Sequence, residues 1–179
     1  MSALFSAGAN PQDKVLLSVG CHLIGDVHQP LHAVKLFSRE YPHGDRGGGD
    51  FCVRVAQGRA ALSLHRLWDG LITSSNNTRT LRNIAIELQS RFDTPGLSEL
   101  AVTALEAWAK ESFEIAKKIA YQNGALHGTP KGNRRDCREV TDAAVLPDGY
   151  ARVARKIADR RMILSGYRLA DLLQRISPG

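Results

Sequence analysis

The sequence predicts an all-α fold, a multi-helix bundle with one short β-hairpin. Apolar residues recur at near-helical spacing through several long stretches, whereas the alternation typical of a strand occurs in one short segment. The 179 residues are 43% hydrophobic and 23% charged, an ordinary composition for a chain that can bury its own core. We therefore expect residues 1–179 to form a single domain.

Four stretches are predicted to be helical: residues 12–28, 79–91, 98–122 and 150–176. Pro11 suits the first position of the first helix, and Pro30 prevents that helix from continuing. The apolar side chains of these stretches are expected to form the core. On the first helix they are Val15, Leu16, Val19 and Leu23.

The predicted hairpin pairs residues 51–55 with residues 60–62, across a turn at Gln57 and Gly58. The preceding loop, residues 35–50, contains the sequence GDRGGGD. Consecutive glycines favour positive φ and let another group approach the backbone closely. Residues 65–71 are expected to begin a helical turn after the hairpin, with Trp68 as a core anchor.

The stretch CHLIGDVHQPLH, residues 21–32, brings histidine and aspartate side chains together. Each helical residue turns by about 100°, so His22 and Asp26 project from one face, while His28 points away by roughly 240°. Since the chain must turn at Pro30, His32 can swing back toward the pair. Three side chains that can bind a metal are therefore expected to meet.

A second HxxxD pair, His65 and Asp69, lies in the sequence SLHRLWDG. Imidazole nitrogen and carboxylate oxygen are ligands that zinc accepts, and a catalytic zinc needs only three from the protein. Five candidates in two clusters indicate a polynuclear zinc site between helices. Either HxxxD pair alone would more commonly be a surface ion pair or a capped core histidine.

Three blocks carry a resemblance to a known family: HLIGDVHQPLH, DRGGGDF and LHRLWD. Their order and spacing, with the late segment SGYRLADLL, resemble the zinc-dependent single-strand nucleases of the nuclease S-one and nuclease P-one family. The bacterial zinc phospholipases C are its sister group. The resemblance implies a phosphodiesterase that hydrolyses single-stranded DNA or RNA to 5′-phosphate products and also has 3′-nucleotidase activity.

The resemblance also implies a role for each candidate metal ligand. The family site holds three zinc ions, and Asp26 matches the catalytic residue that bridges two of them. His22 matches a ligand of one of that pair. The remaining zinc takes ligands that match His32, His65 and Asp69, so this chain is expected to bind at least one zinc.

Substrate contacts are expected in the glycine-rich loop, at Asp45, Gly48 and Gly49. The family usually has Asn where this chain has Gly49. By resemblance the partners are single-stranded nucleic acid or nucleotides, and the protein is secreted or periplasmic. The net charge of +6 is compatible with a polyanionic partner. The basic residues Lys131, Arg134 and Arg135 are expected in a solvated loop, or alternatively at a phosphate-attracting rim.

In the family, an N-terminal Trp and further His and Asp ligands precede the first HxxxD helix, which starts here near residue 12. The chain is therefore expected to be the C-terminal two thirds of a nuclease-like domain. We expect it to have little activity alone and to self-associate through an exposed apolar groove. Its N-terminal residues lack the features of a signal peptide, and no run approaches transmembrane length.

The three cysteines, Cys21, Cys52 and Cys137, match no zinc-knuckle spacing. They are expected to be buried thiols, with one disulfide left open as an alternative.

Three other functions remain open at this stage. A zinc phospholipase C would share the HxxxD pair and a later histidine. A catalytically inactive metal-binding fragment would bind zinc without turnover, and a helical interaction protein would bind no stoichiometric metal.

Overall fold

The structure is a computed structural model that describes residues 10–92 and 94–176. The helices are α1 (Pro11–His28), α2 (Leu64–Asp69), α3 (Thr78–Arg91), α4 (Leu105–Ile115) and α5 (Tyr150–Ile176). The strands are β1 (Phe51–Arg54), β2 (Leu62–Ser63), β3 (Thr129–Pro130) and β4 (Ala144–Val145). The predicted all-α class is confirmed, as a mostly helical fold with a small sheet. The N-terminal residues 1–9, in which no signal peptide was recognised, lie outside the described residues.

The predicted boundaries of α1, α3 and α5 agree closely with the structure. Side chains of Asn10 and Asn77 accept backbone hydrogen bonds at the starts of α1 and α3, which explains where these helices begin. The helix predicted over residues 98–122 is divided instead, into a short 3₁₀ turn at Ser98–Ala101, then α4, then a π-helical segment at Ala116–Ala120. The division lies where the buried Trp108 indole N–H donates to the carbonyl of Val102.

The predicted hairpin is the antiparallel pair of β1 and β2, with Val53 opposite Leu62. The sheet is larger than predicted, because β3 pairs antiparallel and β4 parallel with β1. Both added strands come from a stretch rich in Gly, Pro and Arg, which predicts a loop. Each has only two residues, too few to show an alternating pattern.

A disulfide joins Cys52 on β1 to Cys137. The expectation of buried thiols was therefore wrong for these two cysteines, and the alternative of one disulfide is what the structure has. Cys21 is a free thiol. The disulfide lies in a small buried cluster with Ala61, Val140 and Ala143, so it ties the connection between β3 and β4 to the central strand.

The indole of Trp68 fixes α2 against α5, which confirms its prediction as a core anchor. Trp68 is 3% exposed, and its N–H donates to the hydroxyl of Tyr150 at 3.1 Å. That hydroxyl donates in turn to the carbonyl of Ala120 at 2.8 Å. The short helix that carries the second HxxxD pair is thus held by the core.

The predicted apolar face of α1 was wrong. Three of its four predicted core side chains are exposed: Val15, Val19 and Leu23. The side chain of Leu16 lies outside the described residues. The face of α1 that packs inward carries Ile24 and His28 instead. Self-association through the exposed apolar surface stays a prediction.

A buried polar network joins the end of α1 to α4 and α5. Arg168 donates to both carboxylate oxygens of Glu111, at 2.8 and 2.9 Å, and Arg161 donates to the same carboxylate at 2.6 Å. His28 donates from Nδ1 to the carbonyl of Ile24 and accepts at Nε2 from Arg168. This pattern requires a neutral imidazole, and burial lowers the pKa of His28 to about 4.

The disulfide should contribute strongly to stability, because it closes a loop with a sequence separation of 85 in the unfolded chain. Replacing Cys52 and Cys137 together by Ser should lower the free energy of unfolding by about 2–5 kcal/mol. Urea unfolding measures the change, with Cys21→Ser as the control. An unfolding midpoint equal to that of the control would contradict a stabilising role.

The free energy of unfolding should decrease as the pH is lowered, because His28 is held neutral in the folded protein. Its pKa is about 4 in the folded protein against an ordinary value of 6.5, so the unfolded chain binds a proton first as the pH falls. The contribution of His28 to the free energy of unfolding is fully present above pH 6.5 and is lost between pH 6.5 and about 4. The loss amounts to at most roughly 3 kcal/mol. Urea unfolding of the metal-free protein should show that the free energy of unfolding decreases across this pH range. His28→Gln should flatten this dependence on pH, and His43→Gln should retain it. Equal slopes in both variants would refute the assignment.

Candidate metal centre

The first candidate cluster surrounds the carboxylate of Asp26, in the last turn of α1. Oδ2 of Asp26 lies 3.4 Å from Nε2 of His22, one helical turn earlier. A 3₁₀ turn at Pro30–Ala33 then reverses the chain and brings Nδ1 of His32 to 3.5 Å from Oδ1 of Asp26. Asp26 therefore lies between two imidazoles, as expected from the helical spacing and the turn at Pro30.

The second candidate cluster adds the residues of α2. One ligand atom from each of His32, His65 and Asp69 lies within 4.8 Å of the others. The imidazole rings of His32 and His65 stack with their centroids 4.9 Å apart. The carboxylate of Asp69 lies 3.5 Å from Nε2 of His65 and 3.9 Å from Nε2 of His32. Since His32 borders both clusters, the five predicted ligands form one continuous group.

The donor set and its hydrogen bonds fit zinc. Nδ1 of His65 lies 2.8 Å from the carbonyl oxygen of Gly47. A carbonyl can only accept, so Nδ1 carries the proton and Nε2 keeps its lone pair for a metal. Two imidazoles and one carboxylate are a usual ligand set for a zinc that keeps a fourth position open.

The glycine-rich loop packs directly against the elements that carry these ligands. Gly47 has φ +61°, and a Cβ there would lie 2.4 Å from the carbonyl oxygen of Leu31. Gly48 has φ +82°, and its carbonyl accepts from the backbone N–H of His65 at 3.2 Å. Only glycine allows this approach at a left-handed backbone conformation. The loop thus positions both the backbone and the ring of His65.

Asp45 supports this loop from inside the protein. Its side chain is 0% exposed and accepts from the backbone N–H groups of Leu36 and Gly48, each at 2.9 Å, and from the hydroxyl of Tyr121. Burial and this hydrogen bond raise the pKa of Tyr121, which keeps the hydroxyl protonated as a donor. We therefore revise the expectation that Asp45 contacts substrate, because its carboxylate faces inward. Gly48 is also buried, while Gly49 is partly exposed.

Sequence reasoning missed Gln29, which lies along the chain between Asp26 and His32 and contacts Asp69. Its Nε2 donates to Oδ1 of Asp69 at 2.9 Å, and its Oε1 accepts from the backbone N–H of Leu31. The amide thus links the turn after α1 to a candidate ligand on α2. The one signal in the sequence is its place within the ligand block, because the contact with Asp69 spans 40 positions.

A cleft of about 560 Å³ opens beside the candidate ligands. Asp26, His32 and Asp69 form part of its wall. The lining also includes residues of α3 and α5, among them the apolar side chains of Leu81, Ile84, Leu88 and Met162. A ligand in this cleft would meet both the metal-binding side chains and apolar surface.

The fold and the site define a class of protein: a mostly helical domain in which linked clusters of His and Asp lie at one cleft. The family model of the S1/P1 nucleases matches residues 1–178, and the chain belongs to this family.

Its curated relatives include endonucleases of Arabidopsis thaliana. Endonuclease 4 is 30% identical over 169 residues, which cover 87% of this chain and 48% of the relative. Endonuclease 3 is 29% identical, covering 87% of this chain and 49% of the relative. Endonuclease 5 is 27% identical, covering 97% and 56%. The chain spans about half the length of these relatives.

Gln29→Ala should weaken zinc binding about 10- to 100-fold, because a hydrogen bond that orients a ligand is lost. The measurement is competition for zinc with a chromophoric chelator. Gln89→Ala, which removes an exposed glutamine of α3, is the matched control. If both variants bind zinc as tightly as the parent chain, Gln29 does not orient Asp69 for a metal.

Proposed function

We propose that the protein is a zinc-dependent phosphodiesterase that hydrolyses single-stranded DNA or RNA to 5′-phosphate products and also has 3′-nucleotidase activity. The observation that carries the proposal is the meeting of His32, His65 and Asp69 around one point. Membership of the S1/P1 nuclease family supports it, as do the names of the endonucleases that the chain resembles.

The chain offers ligands for more than one zinc. His32, His65 and Asp69 would hold one ion, while His22 and Asp26 would contribute to a neighbouring position. When bound by these residues, zinc would supply polarisation of the phosphate and activation of water near neutral pH. We assign the catalytic role to Asp26, because its two oxygens lie beside the imidazoles of His22 and His32, and His32 also belongs to the second cluster.

The other residues orient these ligands and shape the cleft. The carbonyl of Gly47 sets the tautomer of His65, and Gln29 fixes the carboxylate of Asp69. Side chains held in this way are preorganised for binding and catalysis. The net charge of +6 favours the approach of a polyanionic substrate.

We further propose that the protein is secreted or periplasmic. The disulfide between Cys52 and Cys137 supports this, because disulfides persist in oxidising compartments and are rare in the cytosol. Among the described residues, no helix combines the length and the apolar character needed to cross a bilayer.

The test of the proposed function is digestion of single-stranded DNA in zinc. We expect little activity from the 179-residue chain, and clear activity from a form extended upstream over the length of the relatives. In the active form, Asp26→Ala should lower the rate at least about 100-fold, since it removes the carboxylate that lies between the imidazoles of His22 and His32. Asp148→Ala, at an exposed loop position, is the control.

Other outcomes would assign a different function. Hydrolysis of phosphatidylcholine without cleavage of DNA would identify a phospholipase C. Zinc binding without turnover of either substrate, in both forms, would identify an inactive metal-binding protein. Either result would refute the proposal.

A further inference from the structure

Phe37 is an exposed aromatic side chain on the segment that leaves the metal centre. Its side chain is 63% exposed. The segment is extended at Val34, and the side chains of Val34 and Leu36 pack against the core. Because side chains alternate along an extended chain, Lys35 and Phe37 face outward together. Nζ of Lys35 lies 5.3 Å from the centroid of the Phe37 ring.

The backbone around this exposed ring is fixed. The N–H of Leu36 donates to the carboxylate of Asp45 at 2.9 Å, and the carbonyl of Leu36 accepts from the N–H of Asp45 at 3.0 Å. On the other side, Ser38 and Tyr41 exchange backbone hydrogen bonds at 3.1 and 3.4 Å. An aromatic ring that is exposed but rigidly mounted is suited to contact a ligand, because little conformational entropy is lost on binding.

The same hydrogen bonds connect Phe37 to the candidate metal centre. Asp45 binds the N–H of Gly48, and the carbonyl of Gly48 accepts from the N–H of His65. Phe37 also follows His32 by five positions, a span of at most about 18 Å. The backbone that carries the ring therefore lies within reach of His32 and is linked by hydrogen bonds to the backbone of His65.

The exposed charges of residues 35–50 favour a polyanion. Three exposed basic side chains belong to this region: Lys35, Arg39 and Arg46. The same stretch has one exposed carboxylate, that of Glu40, and the carboxylate of Asp50 lies 3.8 Å from Arg46. Aromatic rings flanked by cations bind single-stranded nucleic acid, since every base can stack and every phosphate attracts a cation.

We propose that Phe37 and Lys35 form a stacking platform for one unpaired base of a single-stranded substrate whose backbone reaches the metal centre. This inference rests on the proposed nuclease function and names a binding site for the strand away from the reacting phosphate. Phe37 stacks on the base, and Lys35 contacts the adjoining phosphate.

The first experiment measures binding without cleavage. Fluorescence anisotropy of labelled oligothymidylate is followed in a chelating buffer, with thymidine monophosphate as a competitor. Phe37→Ala should weaken oligonucleotide binding about 5- to 100-fold, the range for loss of one stacked base. Phe37→Tyr should bind like the parent. Phe113→Ala, which removes a ring that is 41% exposed on α4, should also bind like the parent.

The second experiment measures the dependence of this binding on salt. Lys35→Gln should reduce the slope of log affinity against log salt by about 0.7, as expected for one phosphate contact to a single strand. Phe37→Ala should leave the slope unchanged. A purely structural effect would not change the affinity alone in one variant and the salt dependence in the other. The urea unfolding midpoints of both variants test whether they fold.

The outcomes distinguish the platform from the function on which it rests. If the parent chain binds oligothymidylate and Phe37→Ala binds it equally well, the platform is refuted and the proposed nuclease function stands. If the parent chain does not bind oligothymidylate and its extended form does not digest single-stranded DNA, both are refuted.

Discussion

The buried carboxylate of Asp45 is the interaction on which the candidate site depends. Its oxygens accept hydrogen bonds from the backbone of Leu36 and Gly48 and from the hydroxyl of Tyr121. A buried carboxylate is costly unless its lone pairs are satisfied, and three donors satisfy this one. The segment that leaves the first ligand cluster, the glycine-rich loop and the end of the π-helical segment are therefore held together at one point.

This constraint lets a loop orient ligands that stand on helices. Gly48 is bound to Asp45 through its N–H, and its carbonyl accepts from the N–H of His65, so Asp45 also restrains the backbone of His65. The carbonyl of Gly47 fixes the tautomer of the His65 ring. On the other side of the cluster, the amide of Gln29 restrains Asp69. Each candidate ligand on α2 is thus held by a group outside that helix, as ligands in metal sites commonly are.

Local features of this fold could be predicted from the sequence, because they depend on neighbours along the chain. The closeness of His22 and Asp26 follows from helical geometry, and the return of His32 follows from the turn at Pro30. The structure also brings His32, His65 and Asp69 together, but the sequence implied a shared zinc only through resemblance.

Contacts between distant residues could not be predicted in this way. The disulfide joins cysteines separated by 85 positions, and three cysteines allow three pairings. The inward-facing role of Asp45 depends on Tyr121, which lies 76 positions away. Helical periodicity also misassigned Val15 and Val19 to the core, because it identifies an apolar stripe without showing whether another element covers it.

Anomalous diffraction at the zinc absorption edge, from crystals of the chain grown with zinc, tests the central claim most directly. A peak is expected where His32, His65 and Asp69 meet, about 2.0–2.2 Å from one ligand atom of each. The absence of a peak at that point, with zinc bound elsewhere or not at all, would contradict the account.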